Sequence, residues 1–572
     1  YDYIVVGAGP AGSMVATELA KAGYYTLLMD AGNDKINANT TTPGLMLRTW
    51  EDDSIAWQYY VNYYNENSNI RKNTRYPRSS GLGGCSLHNA MVHLYPKQQD
   101  FDEMVRLTGD ESWSESTFRK YYESILEGSN SKRSFLSLST IALQKIFGFD
   151  SKYKGLSTLV GKAFTNKLKG VDPNGYTYDS SLLNPIPKRK LTIDDNIQFF
   201  KPSNIKFTNG VGKRYGVHEY VKTVLGQTPK LHFKGDALVT KVILQGNKAT
   251  GVEYMSGEHL YRASPVSDKS SKSHPKTFRI RARKEVIISG GVFNSPQILM
   301  LSGIGNSEHL KSLNIEPKVN LPGVGKNLHD HYEVVVNVKL DSNWEMVKSC
   351  KFKSEDSDEC WKKYKNGDGP YNTAGYFFGE AFKSKANPPN SDLYHFSVIT
   401  RWKGYSNSTT EDALRNFDHF GIITQLPHQV NRKGAITLKS SDPRDTPNIN
   451  FNYFEDGADK DIPKLIDGIR DARKKLALTG WRNMIEVDPG KHVQSDEQLE
   501  KYIRENTYGH HACCSNKIGR DNDPEAVLDK NFKVRGVENL RVVDQSSIPA
   551  IWGNFPVLST YLLGVKGADA IL

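Results

Sequence analysis

Apolar and polar positions recur with two periods along this chain, and its amino-terminal stretch already shows both. Residues 3–6, Tyr-Ile-Val-Val, predict a short buried strand, and Val15, Leu19 and Ala22 at i, i+4 and i+7 predict a helix with one inward face. Gly23 ends that helix, and residues 26–29 read as a second strand with Asp30 at its tip. Residues 236–254 alternate on either side of Gly246-Asn247, the pattern of a β-hairpin. Residues 286–305 give an apolar strand, a glycine turn and a helix with Pro296 in its first turn. Stretches 332–340, 417–424 and 435–438 alternate like strands, and 118–126 predicts a helix. Residues 461–478 predict an amphipathic helix with Ile462, Leu465, Ile466, Ile469, Ala472 and Leu476 inward. Residues 140–200 are irregular and polar, while 264–276 and 350–370 predict exposed insertions. No internal repeat is visible.

The first strand, helix and second strand enclose Gly7, Gly9 and Gly12 in the spacing G-x-G-x-x-G. Gly7 permits the tight turn, Gly9 lets backbone approach a pyrophosphate, and Gly12 lets helix and strand pack closely. The helix N-terminus offers free N–H groups to phosphates, and Asp30 offers acceptors to ribose hydroxyls. The bland alternative is a glycine-rich turn in an ordinary βαβ unit. All parts stand in order, which points to a dinucleotide site with Ala11 and Ala31 beside it. The motif does not separate FAD from NAD(P).

Composition narrows the class without choosing a chemistry. The chain has 572 residues, enough for several lobes, with 38% hydrophobic and 24% charged residues, an ordinary globular balance. No apolar run reaches the ~20 residues that span a bilayer. No signal peptide is visible, and any leader is expected to have been removed; the compartment stays open. The net charge of +11 comes from scattered Lys and Arg, the strongest cluster being 185–190, which reads as a solvated surface rather than a nucleic-acid site. Five cysteines do not make a disulfide framework, although Cys350 and Cys360 are spaced to close a small loop in an oxidising setting. Asn39 and Asn407 stand in glycosylation sequons by form.

A second glycine cluster lies in "RYPRSSGLGGCSLHN", with Gly81, Gly83 and Gly84 allowing backbone to lie flat against a planar ligand. The run Gly83, Gly84, Cys85, Ser86, Leu87, His88, Asn89 resembles the first signature of the glucose–methanol–choline (GMC) family of flavoprotein oxidoreductases. "SGGVFNSPQILMLSGIG" resembles the second, through Ser289, Gly290, Gly291, Ser295, Pro296, Ser302, Gly303 and Gly305, with Val292 a mild departure. "LPGVGKNLHDHYEV" follows as it does in the family, and the closing block runs from a strand ending in Asp544 to a final helix near Pro556 and Val557.

The resemblance implies FAD as cofactor. Its ADP half would lie on the amino-terminal glycines, Val239 would pack on adenine through its backbone, and Asp544 would lie near the pyrophosphate and ribityl chain. Ser289 and Gly290 would border the cofactor too. "CSLHN" is similar to choline-oxidase-like members, which implies His88 as a covalent flavin attachment; a noncovalent neighbour of the ring is the other reading.

"YGHHACCSNKIG" carries two histidines and two cysteines. A zinc site wants four ligands in spaced pairs, which adjacent Cys513 and Cys514 do not supply. A thiol nucleophile needs an activating base that the sequence does not specify. The resemblance implies a catalytic histidine eight residues before the closing Gly519, at His511, with His510 as runner-up because neighbouring side chains on an extended segment point apart. Alcohol oxidation fits: flavin N5 takes the hydride and a neutral imidazole takes the hydroxyl proton. A second polar residue is expected before the last helix. Asn554 is the candidate, although counting back from Asp569 places Phe555 there, which puts that role in doubt.

The expected architecture is α/β: a Rossmann-like FAD lobe of residues 1–110, 201–331 and 505–572, and a substrate lobe of 111–200 and 332–504 with an antiparallel sheet flanked by helices. The expected activity is FAD-dependent oxidation of a small alcohol, aryl or otherwise primary, with dioxygen or another acceptor. Trp57, Tyr59, Tyr60 and Trp552 are candidates to line an apolar pocket for an aryl alcohol, and equally candidates for the core. The alternatives are a lyase or light-driven member of the same fold, or a flavin-bearing structural or surface-binding protein with weak catalysis.

Overall fold

The computed structural model describes residues 1–65, 67–128, 197–199, 205–208, 211–270, 275–386 and 388–572. The basic cluster 185–190, the polar stretch 140–196 and residues 271–274 lie outside them.

Five short strands form a parallel sheet in the order Leu540–Val542, Glu285–Ile288, Tyr3–Val6, Thr26–Met29, Leu231–Lys234. Tyr3–Val6 is buried along its whole length because a parallel strand in the middle of such a sheet has both faces covered. Helices Pro10–Lys21 and Pro556–Asp569 pack on each other so closely that a Cβ on Gly564 would lie 2.6 Å from Ala11 O. Gly7 has φ +108°, and a Cβ there would lie 2.2 Å from Ser289 O; one on Gly12 would lie 2.1 Å from Gly7 O. Strand, turn and helix therefore meet backbone to backbone, as the glycine spacing requires.

Ala237–Gln245 and Lys248–Ser256 make the hairpin expected around Gly246, extended by Thr277–Arg281. A six-stranded antiparallel sheet runs Ile485–Asp488, Tyr332–Lys339, His419–Leu426, Leu393–Val398, Tyr376–Phe382, Ile197–Phe199. Helix Ala458–Leu478 covers one face, with all six expected apolar positions buried. Gly468 lets it press on the sheet, since a Cβ there would lie 2.2 Å from Thr424 Cγ2. Among the described residues no helix is long and apolar enough to cross a membrane.

Three local expectations shift. The helix after Glu285–Ile288 starts at Gly291, which puts Pro296 in its second turn. The strand expected at 417–424 is His419–Leu426. Residues 350–370 are more than an exposed insertion: a Cys350–Cys360 disulfide closes the loop, and buried Asp358 accepts from the N–H groups of Lys351, Lys353 and Cys360 and from the Tyr371 hydroxyl. A buried carboxylate that satisfies so many donors organises a loop whose charge density made it look solvated.

Candidate active site

One large cavity lies between the parallel and antiparallel sheets, with an empty volume of about 2000 Å³ that includes its open mouth. Gly7, Gly9, Ala11, Asp30, Ala31, Val239, Ser289, Gly290 and Asp544 border one part of it. Helices Pro10–Lys21, Gly291–Leu301 and Pro556–Asp569 all begin at its wall. Their free N–H groups and positive ends converge there, which favours phosphates and negative charge on a bound ring. A Cβ on Gly9 would meet nothing within 4 Å, so this backbone faces open space into which a pyrophosphate fits. Gly12 does not border the cavity; its part is packing.

The two acidic residues tie loops together. Asp30 accepts from the N–H groups of Ala8, Gly32 and Gly81 at 2.8, 2.9 and 2.8 Å, which joins the first glycine loop to the second. Each carboxylate oxygen has more than one lone pair, so capacity for a ribose remains. Asp544 accepts from Gly291 N–H at 2.9 Å, Ser295 Oγ at 2.5 Å and Ser546 N–H at 2.8 Å, which fixes the start of helix Gly291–Leu301.

The second glycine loop enters from the side. Gly83, at φ +112°, turns the chain without bordering the cavity, whereas Gly84, Cys85, His88 and Asn89 border it. Arg214 pins this loop through Ser86 O at 2.9 Å and Asn89 Oδ1 at 2.6 Å. His88 is 3% exposed, and neither ring nitrogen has a hydrogen-bond partner among the described residues. Burial, then the Arg78 and Arg214 charges, push its pKa down to about 3. An orphaned, neutral imidazole facing a cavity awaits a partner there.

His510 and His511 both border the cavity but are held differently. His510 donates from Nε2 to Pro77 O at 2.6 Å and stacks on Tyr405, 4.2 Å between centroids. His511 meets His331 through the two Nδ1 atoms at 2.8 Å, and Glu333 Oε1 lies 3.8 Å from the same nitrogen. Burial, then Arg78, lower the His511 pKa to about 3, so its ring is neutral. Burial holds the Glu333 carboxyl up at about 8 and that of Asp330 at about 7.

Asn554 is a correction to the expected site. It does not border the cavity; its amide donates to Gln425 Oε1 at 3.1 Å. Phe555 borders the cavity in its place, because the turn at Gly553, φ +72°, sets which of the two side chains faces in. Pro556 follows it on the cavity wall. Of the aromatic candidates Trp57 and Tyr59 border the cavity, Tyr60 is 40% exposed, and Trp552 is core, packed on Phe101, Phe118 and Trp113.

Sequence reasoning missed Arg78, Asp330, His331, Glu333, Trp50, Tyr376, Trp402 and Tyr405. The signal for three of them was present: Asp330, His331 and Glu333 stand in "LHDHYEV", read there only as part of a family block. Cys513 and Cys514 are joined as a disulfide, and His329 Nε2 beside them meets Arg432 Nη1 at 2.5 Å and accepts from Ile551 N–H at 3.3 Å.

Two models of the family described as GMC oxidoreductase match the chain, over residues 203–333 and 430–564. An oxygen-dependent choline dehydrogenase of Pseudomonas putida is 30% identical over 581 residues, covering 100% of this chain and 94% of that protein. The chain belongs to the GMC oxidoreductase family. It is an FAD-dependent oxidoreductase, and the glycine cradle, the converging helix N-termini and the orphaned His88 fit that cofactor. Mitochondrial choline dehydrogenase of Mus musculus is 28% identical over 596 residues, covering 100% of this chain and 89% of that one. In fold the chain is similar to a formate oxidase of Aspergillus oryzae, with a TM-score of 0.78, 21% identity, and coverage of 100% and 98%. A fungal aryl-alcohol oxidase gives a TM-score of 0.71 at 20% identity, covering 100% and 98%.

Proposed function

We propose that this chain oxidises a small primary alcohol to its carbonyl compound, with His511 as the base that takes the hydroxyl proton. The His511 ring carries this reading. It borders the cavity, its hydrogen bond to His331 and its nearest carboxylate oxygen are both at Nδ1, and Nε2 has no hydrogen-bond partner among the described residues.

Bound FAD supplies the hydride acceptor. Gly7, Gly9 and Ala11 would hold its phosphates at a helix N-terminus, with Asp30, Ala31 and Val239 on the ADP half and Asp544 and Pro556 near the ring end. His88, neutral and unpartnered, is proposed as the attachment point for the flavin. Neutral His511 accepts the hydroxyl proton, a step worth ~10²–10⁴ in rate. Trp50, Trp402, Tyr405, Phe396 and Phe555 border the same space and keep water from it. His510, with its Nε2–H committed to Pro77, is the second choice for the base. Residues 1–110, 201–331 and 505–572 are assigned to the cofactor lobe, and 111–200 and 332–504 to the substrate lobe. The origin of the strands in each sheet supports that division.

One observation favours a particular class of alcohol. Trp50, Trp402 and Tyr405 cluster with centroids 5.3 to 5.9 Å apart on the wall that also carries Glu333. Aromatic faces beside a carboxylate suit a quaternary ammonium group, and the curated relatives above are named choline dehydrogenases. A cationic end would draw Glu333 into its charged form, and that charge would support the imidazolium of His511. An aryl alcohol suits the same aromatic wall without using Glu333.

Anaerobic mixing with cationic, aryl and aliphatic alcohols and sugars tests the proposal. Bleaching of the flavin absorbance by one class supports it and names the class. No bleaching by any of them favours the lyase, light-driven or structural alternatives.

A further inference from the structure

Two Nδ1 atoms at 2.8 Å, on His331 and His511, have one proton between them, and its owner decides what His511 can do. If His331 holds it, neutral His511 carries its own proton on Nε2 and presents a donor to the cavity. If His511 holds it, Nε2 is bare and can accept. A base at His511 needs the second arrangement, and two features accord with it. Glu333 Oε1 lies 3.8 Å from His511 Nδ1, where its charged form favours a proton on that atom. The second is a clamp on the main chain. Asp330 accepts from the N–H groups of His331 at 2.8 Å and His511 at 2.6 Å. It also accepts from the Tyr76 hydroxyl at 2.6 Å, which itself accepts from Ala512 N–H at 3.0 Å. Both rings are thereby fixed from one buried carboxyl, and they meet edge to face at 77°.

We infer that His331 is a positioning residue: its Nδ1 accepts the Nδ1 proton of His511, so that His511 turns a bare Nε2 toward the alcohol. In the step so arranged, the alcohol O–H bond breaks, the proton moves to His511 Nε2, and the electron pair stays on the substrate oxygen. This rests on the reading of His511 as the base. The other titratable and charged groups facing the pair are Asp330, Glu333, Arg78, His329, His428 and His510.

The test compares His331→Leu, which removes the acceptor, with His331→Asn, whose Oδ1 takes the place of Nδ1, and with His511→Ala, each with flavin content and Tm measured. At saturating alcohol, H331L is expected to reduce its flavin ~10²-fold more slowly than wild type with KM changed less than about threefold, and to regain rate as pH rises, while H331N stays within about tenfold. Nitrogen-15 spectra of histidine-labelled wild-type protein should show His511 neutral with its proton on Nδ1, whether or not H331L folds. A His511 proton on Nε2, or wild-type reduction by a folded H331L, overturns the inference. If H511A is slow while H331L is not, only the role of His331 fails. If H511A also keeps the wild-type rate, the reading of His511 as base fails with it.

Discussion

The rings of His511 and Phe555 meet edge to face, 5.5 Å between centroids and 80° between planes. The position beside the proposed base is therefore apolar, and the neighbouring amide of Asn554 is spent on Gln425. Asn554→Ala should change turnover less than about threefold while costing ~1 kcal/mol of stability through the lost hydrogen bond. Phe555→Ala should instead enlarge the pocket, raise KM for small alcohols and admit bulkier ones. Steady-state kinetics and thermal unfolding on both variants check this, and a large loss of turnover in N554A alone would return Asn554 to the reaction.

The glycines make a contrasting pair. Gly12→Ala would drive a Cβ to 2.1 Å from Gly7 O and should prevent folding or lower Tm steeply. Gly9→Ala meets no protein atom within 4 Å, so the protein should fold with near wild-type far-ultraviolet circular dichroism but lose flavin affinity. Flavin content against Tm separates the two.

His88→Ala removes the orphaned imidazole of the second glycine loop. Acid-precipitated wild-type protein should keep its yellow colour in the pellet, and H88A should release it to the supernatant while still binding FAD. Colour in the wild-type supernatant would leave His88 as a noncovalent neighbour.

Glu333 is held at about 8 by burial, with Gln425 opposing and Asp330 assisting. Below that pH it is neutral and does nothing for an imidazolium 3.8 Å away; above it, its charge helps. The kcat/KM profile should rise with pH through about 8, and Glu333→Gln should flatten that limb and lower its plateau. The folded pKa is raised above the unfolded one, so the contribution of this group to stability is complete below about 4 and is lost as pH rises to about 8. The Tm of E333Q relative to wild type should therefore rise between pH 5 and pH 8. A profile unchanged in E333Q would remove Glu333 from the reaction.

Local spacing made the cofactor end legible. Gly7, Gly9, Gly12 and Asp30 act within one βαβ unit, so their order along the chain is their order in space. The catalytic end depends on pairings distant in sequence. Glu333 faces Tyr508 across a bridge, and His329 faces Cys513, which is what brings His331 beside His511. No periodicity within 329–333 announces that partner. Between Asn554 and Phe555 the sequence leaves one residue of register open, and the turn at Gly553 closes it in favour of Phe555. Trp552, open to either reading in the sequence, falls in the core, since a large aromatic fills a core as readily as a pocket.

The most direct measurement is the rate of anaerobic flavin reduction by a bleaching alcohol in His511→Ala, in stopped flow, from pH 6 to pH 10. With the base removed, the rate should fall by ~10²–10⁴ near neutrality and climb with pH as the alcohol ionises without help. A variant that binds FAD normally and reduces it at the wild-type rate across that range would contradict the account.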